Sequence, residues 1–484
     1  MTGQLESLRL VPHNLHDVRL ADRRVLFHVP TTALFEADAA TCEVIDFFRG
    51  RQTVSAEELR QAFEGRYDAE QVVGVLQDLI ELEVVQPAAA EAAPARPLQL
   101  DKFPINTLVL NVNTGCNLSC TYCYKEDLST PAQGKLMGAE TARHSIDLLM
   151  AEGGDHGKVN LVFFGGEPLS NLPLIKEAVA YAEEQGQARG LRVDFSLTTN
   201  ATLLTEDIIA YLDAHRFGLT VSMDGPKHLH DKRRVTVGGK GTYDVVARKV
   251  EMLLQRYRSR PVGARVTLTA GVTEVETIFA HLKNELGFSE VGLAPVTSGD
   301  NAKFNLNEDE LAAVFAGFRK LAEAYRAAAL EGRYTGFTNI HKLVSDLTIG
   351  RRKSLPCGAG VGLLAVDHRG DLQLCHRFTG SSLPNFGSVT EGIDKPRLGA
   401  FLSDAADHEG DGCATCRIRT LCAGGCYHER YARYGDPLHP AYHYCELMRD
   451  WIDLGIRIFA ELEASNPQFL DRYAGRRIST IQGG

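Results

Sequence analysis

Between residues 103 and 340, short apolar runs alternate with stretches whose apolar residues recur at helical spacing. INTLVLNVN (105–113), VNLVFF (159–164), VDFSLT (193–198), LTVSM (219–223), ARVTLTA (264–270) and VGLAPV (291–296) predict strands. Helical patterns separate most of them, as at 139–151, 173–186 and 205–214. Nearly continuous apolar strands alternating with helices predict an α/β fold with a parallel sheet covered on its outer face. Six such units predict a TIM-like barrel, partial or complete, a (β/α)6 arrangement. Its reactive side chains are expected on loops after the C-terminal ends of the strands.

The flanks read differently. Val25-Leu26-Phe27 predicts a strand, and helical patterns follow through Cys42, Ile45 and Phe48, and through Val72, Val73, Leu76, Leu79 and Ile80. Between them Ser55-Ala56-Glu57-Glu58 has capping-box form and opens a helix through Leu59 and Phe63. With the apolar Val84-Val85, this is a winged-helix-like pattern. The Ala- and Pro-rich stretch 86–97 reads as a linker, so residues 1–97 are expected to form a module removable without harm to the rest. Residues 98–345 are assigned to the barrel and 346–484 to a C-terminal domain. From about 357 to 447 that domain dissolves into short segments rich in Gly and Cys, where metal ligation is expected to replace a hydrophobic core. Residues 446–464 predict a terminal helix.

With 484 residues and 44% hydrophobic composition, a folded chain of several domains is expected. The net charge of −10 argues against a nucleic-acid partner. No apolar run is long enough for a membrane span, and MTGQLESLRL lacks the apolar core of a signal peptide, so a cytoplasmic protein is expected. Ten of eleven cysteines fall in two groups, with Cys42 alone. In a reducing compartment such clustering points to metal rather than disulfides.

The first group, CNLSCTYC, follows the first strand directly. Cys116, Cys120 and Cys123 offer three thiolates on one tight loop, enough for three irons of a cubane. The fourth iron is left open to a small molecule, unlike a structural cluster closed by four thiolates. The competing reading is a zinc knuckle, which favours four ligands and CxxC spacings. CxxxCxxC with Tyr122 before its last Cys resembles the radical S-adenosylmethionine (SAM) superfamily. FFGGEP (163–168), at the end of the second strand, resembles that superfamily's site for the methionyl end of SAM. Gly165 and Gly166 would let backbone approach the ligand, and Glu167 would engage its ammonium. SMDGP (222–226) and HDKRR (230–234) resemble the branch that includes sulfatase-maturating enzymes. The likeness implies that Ser222 and Arg234 contact the ribose and carboxylate of SAM and that Tyr122 and Leu293 flank the adenine. Core packing is the other reading of Leu293.

The second group resembles the SPASM domain, which carries two auxiliary 4Fe–4S clusters. It implies one cluster on Cys413, Cys416, Cys422 and Cys445, and another on Cys357, Cys375 and Cys426. Family members place a further cysteine soon after the first, where this chain has Gly358-Ala359-Gly360-Val361-Gly362-Leu363. The latter cluster is thus left with three thiolates and room for substrate, water or another side chain. Three [4Fe–4S] clusters and SAM are the cofactors expected. A zinc ribbon is the alternative for CATC…CAGGC. Sulfatase-maturating enzymes carry an Asp just after the second auxiliary cysteine, whereas this chain has His376, which disfavours that reaction. His376, Asp404, Asp407 and Asp411 are the candidate bases.

A strand and three helices ahead of such a body resemble the peptide-recognition element of ribosomal-peptide maturases, which takes up a leader peptide as an added strand. The whole arrangement, with CNLSCTYCYKEDL, resembles the quinohemoprotein amine dehydrogenase maturation family. That family joins cysteine sulfurs to side-chain methylene carbons of Asp or Glu in the dehydrogenase small subunit. The resemblance implies a leader-bearing peptide substrate, a 5′-deoxyadenosyl radical from SAM and an electron donor such as flavodoxin or ferredoxin. An iron–sulfur electron-transfer protein would need the cysteines but not GGEP or SMDGP–HDKRR. A radical SAM enzyme for small molecules would not need the N-terminal module.

Overall fold

The computed structural model describes residues 7–20, 24–90, 103–124, 134–153, 157–296, 302–407, 412–439 and 443–475. At the N-terminal end, β1 (Leu8–Leu10) pairs antiparallel with β5 (Val85–Pro87). β2 (Leu15–Arg19), β3 (Arg24–His28) and β4 (Ala33–Glu36) form an antiparallel sheet in that order. α1 (Ala39–Phe48), α2 (Ala56–Phe63) and α3 (Ala69–Glu81) follow. The expected capping box at α2 is present, with Ser55 and Glu58 each satisfying the other's backbone N–H. Val44, Ile45, Phe48, Leu59, Phe63 and Leu79 close a small core with Leu8, Leu26 and Val85.

Strand period sends neighbouring residues of β3 to opposite faces. Leu26 enters the small core, while Val25 and Phe27, with Val18 and Val29, join the main core of the chain. The module's sheet is therefore a wall of the body, which corrects the expectation of a removable unit. Polar contacts line the junction. His16 Nε2 lies 3.0 Å from Asp453 Oδ1, Thr420 Oγ1 donates to Val29 O at 2.8 Å, and Arg352 donates to Pro30 O at 2.9 Å. Most of the proposed linker, 91–97, lies outside the described residues.

β6 (Thr107–Asn113), β7 (Lys158–Gly165), β8 (Arg192–Thr199), β9 (Gly218–Ser222), β10 (Val262–Leu268) and β11 (Glu290–Pro295) run parallel in sequence order. They coincide with the six expected strands. α4 (Ala139–Gly153), α5 (Leu172–Arg189), α6 (Glu206–Ala214), α7 (Lys227–Arg233), α8 (Tyr243–Arg256) and α9 (Val275–Ala280) connect them. Val159, Leu161, Phe163, Phe195, Leu197, Val221 and Val266 are buried on the outer, helix-covered side. The intervening positions Ser196, Thr198, Thr220, Ser222, Arg265 and Thr267 are polar and not buried. The interior is thus a polar lumen rather than a packed core.

The barrel is partial. The strand order ends at β11 on one side, where Asn339 donates from Nδ2 to Leu293 O at 2.7 Å and accepts from Leu293 N at 3.0 Å. α10 (Glu308–Leu330) and α11 (Thr338–Thr348) lie beyond it in sequence. On the other side β12 (Leu363–Val366) adds parallel to β6, and β13 (Leu372–Gln373) adds antiparallel to β12. The C-terminal segment therefore shares the barrel's sheet. Leu364, Val366, Leu372, Leu374, Phe378, Leu398 and Leu402 belong to the main core, so its packing is not left to metal alone. α12 (Lys395–Ala406), α13 (Arg419–Cys422), α14 (Tyr427–Tyr434), α15 (Cys445–Ser465) and α16 (Pro467–Tyr473) complete the chain. Among the described residues no helix is long and apolar enough to cross a membrane.

Candidate active site

The loop after β6 meets the loop after β7 backbone to backbone. Gly166 N donates to Asn113 O at 2.7 Å and Glu167 N to Gly115 O at 3.1 Å. A Cβ on Gly166 would lie 1.9 Å from Gly115 O, and one on Gly165, at φ +147°, would lie 2.3 Å from Asn113 O. The two glycines of GGEP are needed for this approach. Glu167 is fully buried, and its carboxylate accepts from Leu169 N (3.1 Å), Thr199 Oγ1 (2.8 Å) and Asn200 N (2.8 Å). Burial pushes its carboxyl up to about 7 against those bonds. It fastens the end of β7 to the end of β8, and one of a carboxylate's roughly four acceptor positions remains for a ligand.

Cys116, Cys120 and Cys123 are half-buried on the same loop. Burial pushes the Cys116 thiol up to about 12, with Glu167, Cys120 and Cys123 adding to the effect. Burial also raises that of Cys120, opposed by Arg234. Donors already point at the sulfurs: Leu118 N (3.4 Å) and Asn200 Nδ2 (3.7 Å) at Cys116, and Arg234 Nη1 (3.6 Å) at Cys120. Buried thiols that repel one another as anions, yet are surrounded by donors, fit ligands to a cationic centre.

Behind this loop stands a buried network on Asp224, which the sequence reading passed over within SMDGP. Tyr122 OH donates to its Oδ2 at 2.7 Å and Thr267 N to its Oδ1 at 3.0 Å. Arg234 Nε lies 3.0 Å from Oδ2, an ion pair without the alignment of a hydrogen bond. His230 accepts from Asp224 N at Nδ1 (3.4 Å), and its Nε2 meets Thr242 Oγ1 (3.0 Å), which itself donates to Arg234 O (2.9 Å). The ring is therefore neutral with its proton on Nε2. Burial, helped by Arg234, lowers its pKa to about 3. Tyr122 packs with Val296 and Phe304 in a small apolar wall.

Ser222 pairs with Arg265 across β9 and β10, on the lumen side. Leu293 does not share that side. It pairs with outward-facing Val266 and is 1% exposed in the main core, whereas Gly292 and Ala294 occupy the inward positions of β11. The structure thus gives Leu293 its packing role.

The C-terminal cysteines gather into two neighbourhoods. Burial pushes the Cys375 thiol up to about 12, with Cys426 and Cys357 contributing. Burial likewise raises that of Cys422, with Cys445 and Cys416 contributing. Cys413 lies in the turn before Cys416, whose N donates to Cys413 O at 3.0 Å. Among the described residues no three His, Cys, Asp or Glu side chains converge on a single-ion site. Thiolates of a cubane each bind their own iron and need no such convergence.

One layer of side chains joins the first group to the second. Tyr124 follows Cys123 directly, and the Arg377 guanidinium lies 5.3 Å from its ring centroid. Arg377 Nη1 is 3.9 Å from Cys426 Sγ and 3.8 Å from Glu429 Oε1, and Tyr444 OH donates to Glu429 Oε2 at 3.3 Å. His376 packs its ring 4.3 Å from that of Phe164 on β7. Asp404 and Asp407 are exposed at the end of α12, and Asp411 lies outside the described residues. Glu429, absent from the sequence-based candidates, is the acid that this layer holds.

Residues 110–282 match the family profile of the radical SAM superfamily. The barrel is a radical SAM domain. The chain is accordingly an enzyme that uses SAM and a 4Fe–4S cluster, and its cysteine-rich C-terminal segment is consistent with further clusters. It is 25% identical over 369 residues to the cysteine-type anaerobic sulfatase-maturating enzyme of Clostridium perfringens (strain 13 / Type A), covering 72% of this chain and 96% of that one. The solved structure of native anSMEcpe with bound AdoMet superposes with a TM-score of 0.61 at 20% identity, over 77% of this chain and 100% of that one. Streptococcus suis SuiB bound to precursor peptide SuiA superposes with a TM-score of 0.52 at 15% identity, over 91% of this chain and 100% of that one. Residues 103–484 alone could not supply that coverage, so the SuiB fold extends into the N-terminal module.

Proposed function

We propose that this radical SAM enzyme matures a peptide or protein by forming thioether cross-links, joining a Cys sulfur to a methylene carbon of Asp or Glu. The small subunit of quinohemoprotein amine dehydrogenase, with its leader, is the substrate proposed. The observation that carries this reading is the Tyr124–Arg377 contact, which brings the residue after Cys123 against a side chain that reaches Cys426. Cys116, Cys120 and Cys123 would hold the SAM cluster. Cys357, Cys375 and Cys426 would hold one auxiliary cluster with an open iron for the substrate sulfur, and Cys413, Cys416, Cys422 and Cys445 the other. When bound, SAM and its cluster supply hydrogen-atom abstraction from an unactivated carbon.

The chain's own residues do the rest. Glu167 and Asp224 keep the loops in register, and Ser222 and Arg234 present polar groups to SAM. Tyr122, Val296 and Phe304 supply an apolar flank that excludes water. Glu429 joins His376 as a candidate acceptor of the thiol proton. Each bridge removes two hydrogens from the substrate: one leaves as the abstracted atom, and the other as a proton to a base plus an electron to the clusters. The names of two relatives favour a polypeptide substrate, one a sulfatase-maturating enzyme and the other SuiB with its precursor peptide. Within the module, β4 pairs only with β3 among the described residues, leaving an edge on which a leader strand can add. Anaerobically reconstituted enzyme, SAM, reductant and the leader-bearing dehydrogenase small subunit should yield a product lighter by two hydrogens per bridge. Fragment spectra should link Cys to Asp or Glu. Production of 5′-deoxyadenosine with an unchanged substrate mass would refute the reading.

A further inference from the structure

Arg265 stands in the middle of β10, where the outward positions Ala264 and Val266 are 4% and 0% exposed. It faces the lumen, beside Ser222 on one neighbouring strand and Gly292 on the other. Gly292 puts no side chain beside the guanidinium: a Cβ there would lie 3.4 Å from Arg265 Nη1 and 2.9 Å from Thr338 Oγ1. The side chain is open to solvent although protein surrounds it, and the charged or phenolic groups that act on it are Arg377, Glu429 and Tyr124. It makes no ion pair and no side-chain hydrogen bond among the described residues. Glu429 already serves Arg377 at 3.8 Å and Tyr444 at 3.3 Å. The one carboxylate of this layer is thus taken by Arg377, and Arg265 is left without an anionic partner among the described residues.

An unpaired guanidinium in such a cleft is a fork of donors matched to a carboxylate. We propose that Arg265 is a specificity-determining residue that binds the side-chain carboxylate of the Asp or Glu to be cross-linked; the inference rests on the thioether-forming reading above. A carboxylate could also come from SAM. The placement favours the substrate, because Arg234 is the cation packed on Cys120 of the first loop. Arg265 instead faces Arg377 and Glu429, which belong to the C-terminal segment. A side chain held there lies between the two cysteine groups, where both chemistries must reach it.

The test uses reconstituted holoenzyme and, as probe, the leader-bearing small subunit of quinohemoprotein amine dehydrogenase, with copies whose acidic residues are changed singly to the matching amides. For intact enzyme, an amide at the bridged position should lower kcat/KM about 10- to 100-fold, mostly through KM, as expected for losing a charge-assisted hydrogen-bond pair. Arg265→Gln should lower kcat/KM for the acid form by a similar factor and bring the acid-to-amide ratio close to one. Arg265→Lys, keeping the charge without the fork, should retain part of the preference. SAM affinity is measured in parallel by equilibrium dialysis. Intact enzyme that bridges acid and amide forms equally well would overturn the proposal with no enzyme variant needed. So would an Arg265→Gln enzyme that keeps the acid preference, or one whose loss lies in SAM affinity, since the carboxylate would then be SAM's. If intact enzyme forms no Cys-to-acid bridge at all, the underlying reading fails and the anchor falls with it. Bridging with undiminished acid preference in Arg265→Gln removes the anchor alone.

Discussion

Replacing Asp224 with Ala is expected to loosen the loops that carry the first cysteine group. Asp224 is 3% exposed and takes a bond from Tyr122 OH, a bond from Thr267 N and the charge of Arg234. Without it, Arg234, 7% exposed, is a buried cation whose only carboxylate partner among the described residues is gone. Removing one partner of a buried ion pair costs about 3–5 kcal/mol. At about 1.4 kcal/mol per tenfold, local opening should become roughly 10²-fold to a few thousand-fold more frequent. Hydrogen exchange of the metal-free chain, followed by mass spectrometry over 113–124, 218–234 and 262–268, reads this directly. The decisive comparison is Asp224→Ala combined with Arg234→Met. Apolar replacement of a buried pair is close to neutral, so the double variant should recover most of the protection. A single variant that exchanges like the intact chain would refute the argument. A double variant as open as the single one would show that the unpaired Arg234 is not the cause.

Iron analysis of anaerobically reconstituted chain should approach about twelve irons, and Cys116, Cys120 and Cys123 all changed to Ala should leave about eight and abolish 5′-deoxyadenosine. About four irons with zinc bound in the C-terminal segment would refute the assignment. His28, 3% exposed, has Nε2 2.7 Å from Leu82 O and Nδ1 2.7 Å from Thr31 Oγ1, and burial lowers its pKa against the Leu82 bond. A lowered histidine pKa gives stability that is full above the ordinary value of about 6.5 and lost as pH falls toward the folded value. Module exchange, corrected for intrinsic rates, should therefore rise between pH 7.5 and 5.5 in the intact chain but not in His28→Gln, and equal pH responses would count against it. Phe35, 39% exposed on β4, should contribute to leader capture. Phe35→Asp is expected to raise KM for the leader-bearing substrate several-fold, and an unchanged KM would place the leader elsewhere.

All six barrel strands could be read from the chain, because each is a run of apolar residues long enough to stand out between helices. The polar lumen was harder to see. Val162 and Phe164 face inward on β7, so apolar residues at inward positions hide the alternation that Ser196, Thr198 and Thr220 display on the next strands. β12 and β13 escaped because LLAV and LQ are short, and the partner of β12 lies some 250 residues earlier in β6. Nothing local announces a pairing of that range. The cysteines and glycines were legible through spacing, yet the glycines of GGEP proved to serve loop-on-loop contact. Asp224 and Glu429 carry no spacing at all, and their importance comes from what folds around them. Arg265 did leave a trace, as the one charged residue of a mostly apolar strand.

The placement of β12 has a consequence for how the two cysteine neighbourhoods are held. Cys357 lies six residues before β12, and Cys375 two residues after β13. The pair therefore flanks a hairpin hydrogen-bonded to β6, the strand whose loop carries Cys116. Sheet register, rather than a linker, sets the position of Cys375 relative to the first group. That register is strongly specified. Leu364 and Val366 are fully buried, and a slip of one residue along β6 would turn them to the opposite face. Arg377 and Glu429 inherit the same constraint, since Arg377 follows Cys375 by two residues and Glu429 is held by Arg377 and Tyr444. The lumen is thus walled on one side by barrel strands and on the other by a segment fixed to the same sheet. Under the proposed thioether chemistry a carbon and a sulfur must meet within this lumen, and misplacement by about 1 Å can cost on the order of 10²-fold in rate.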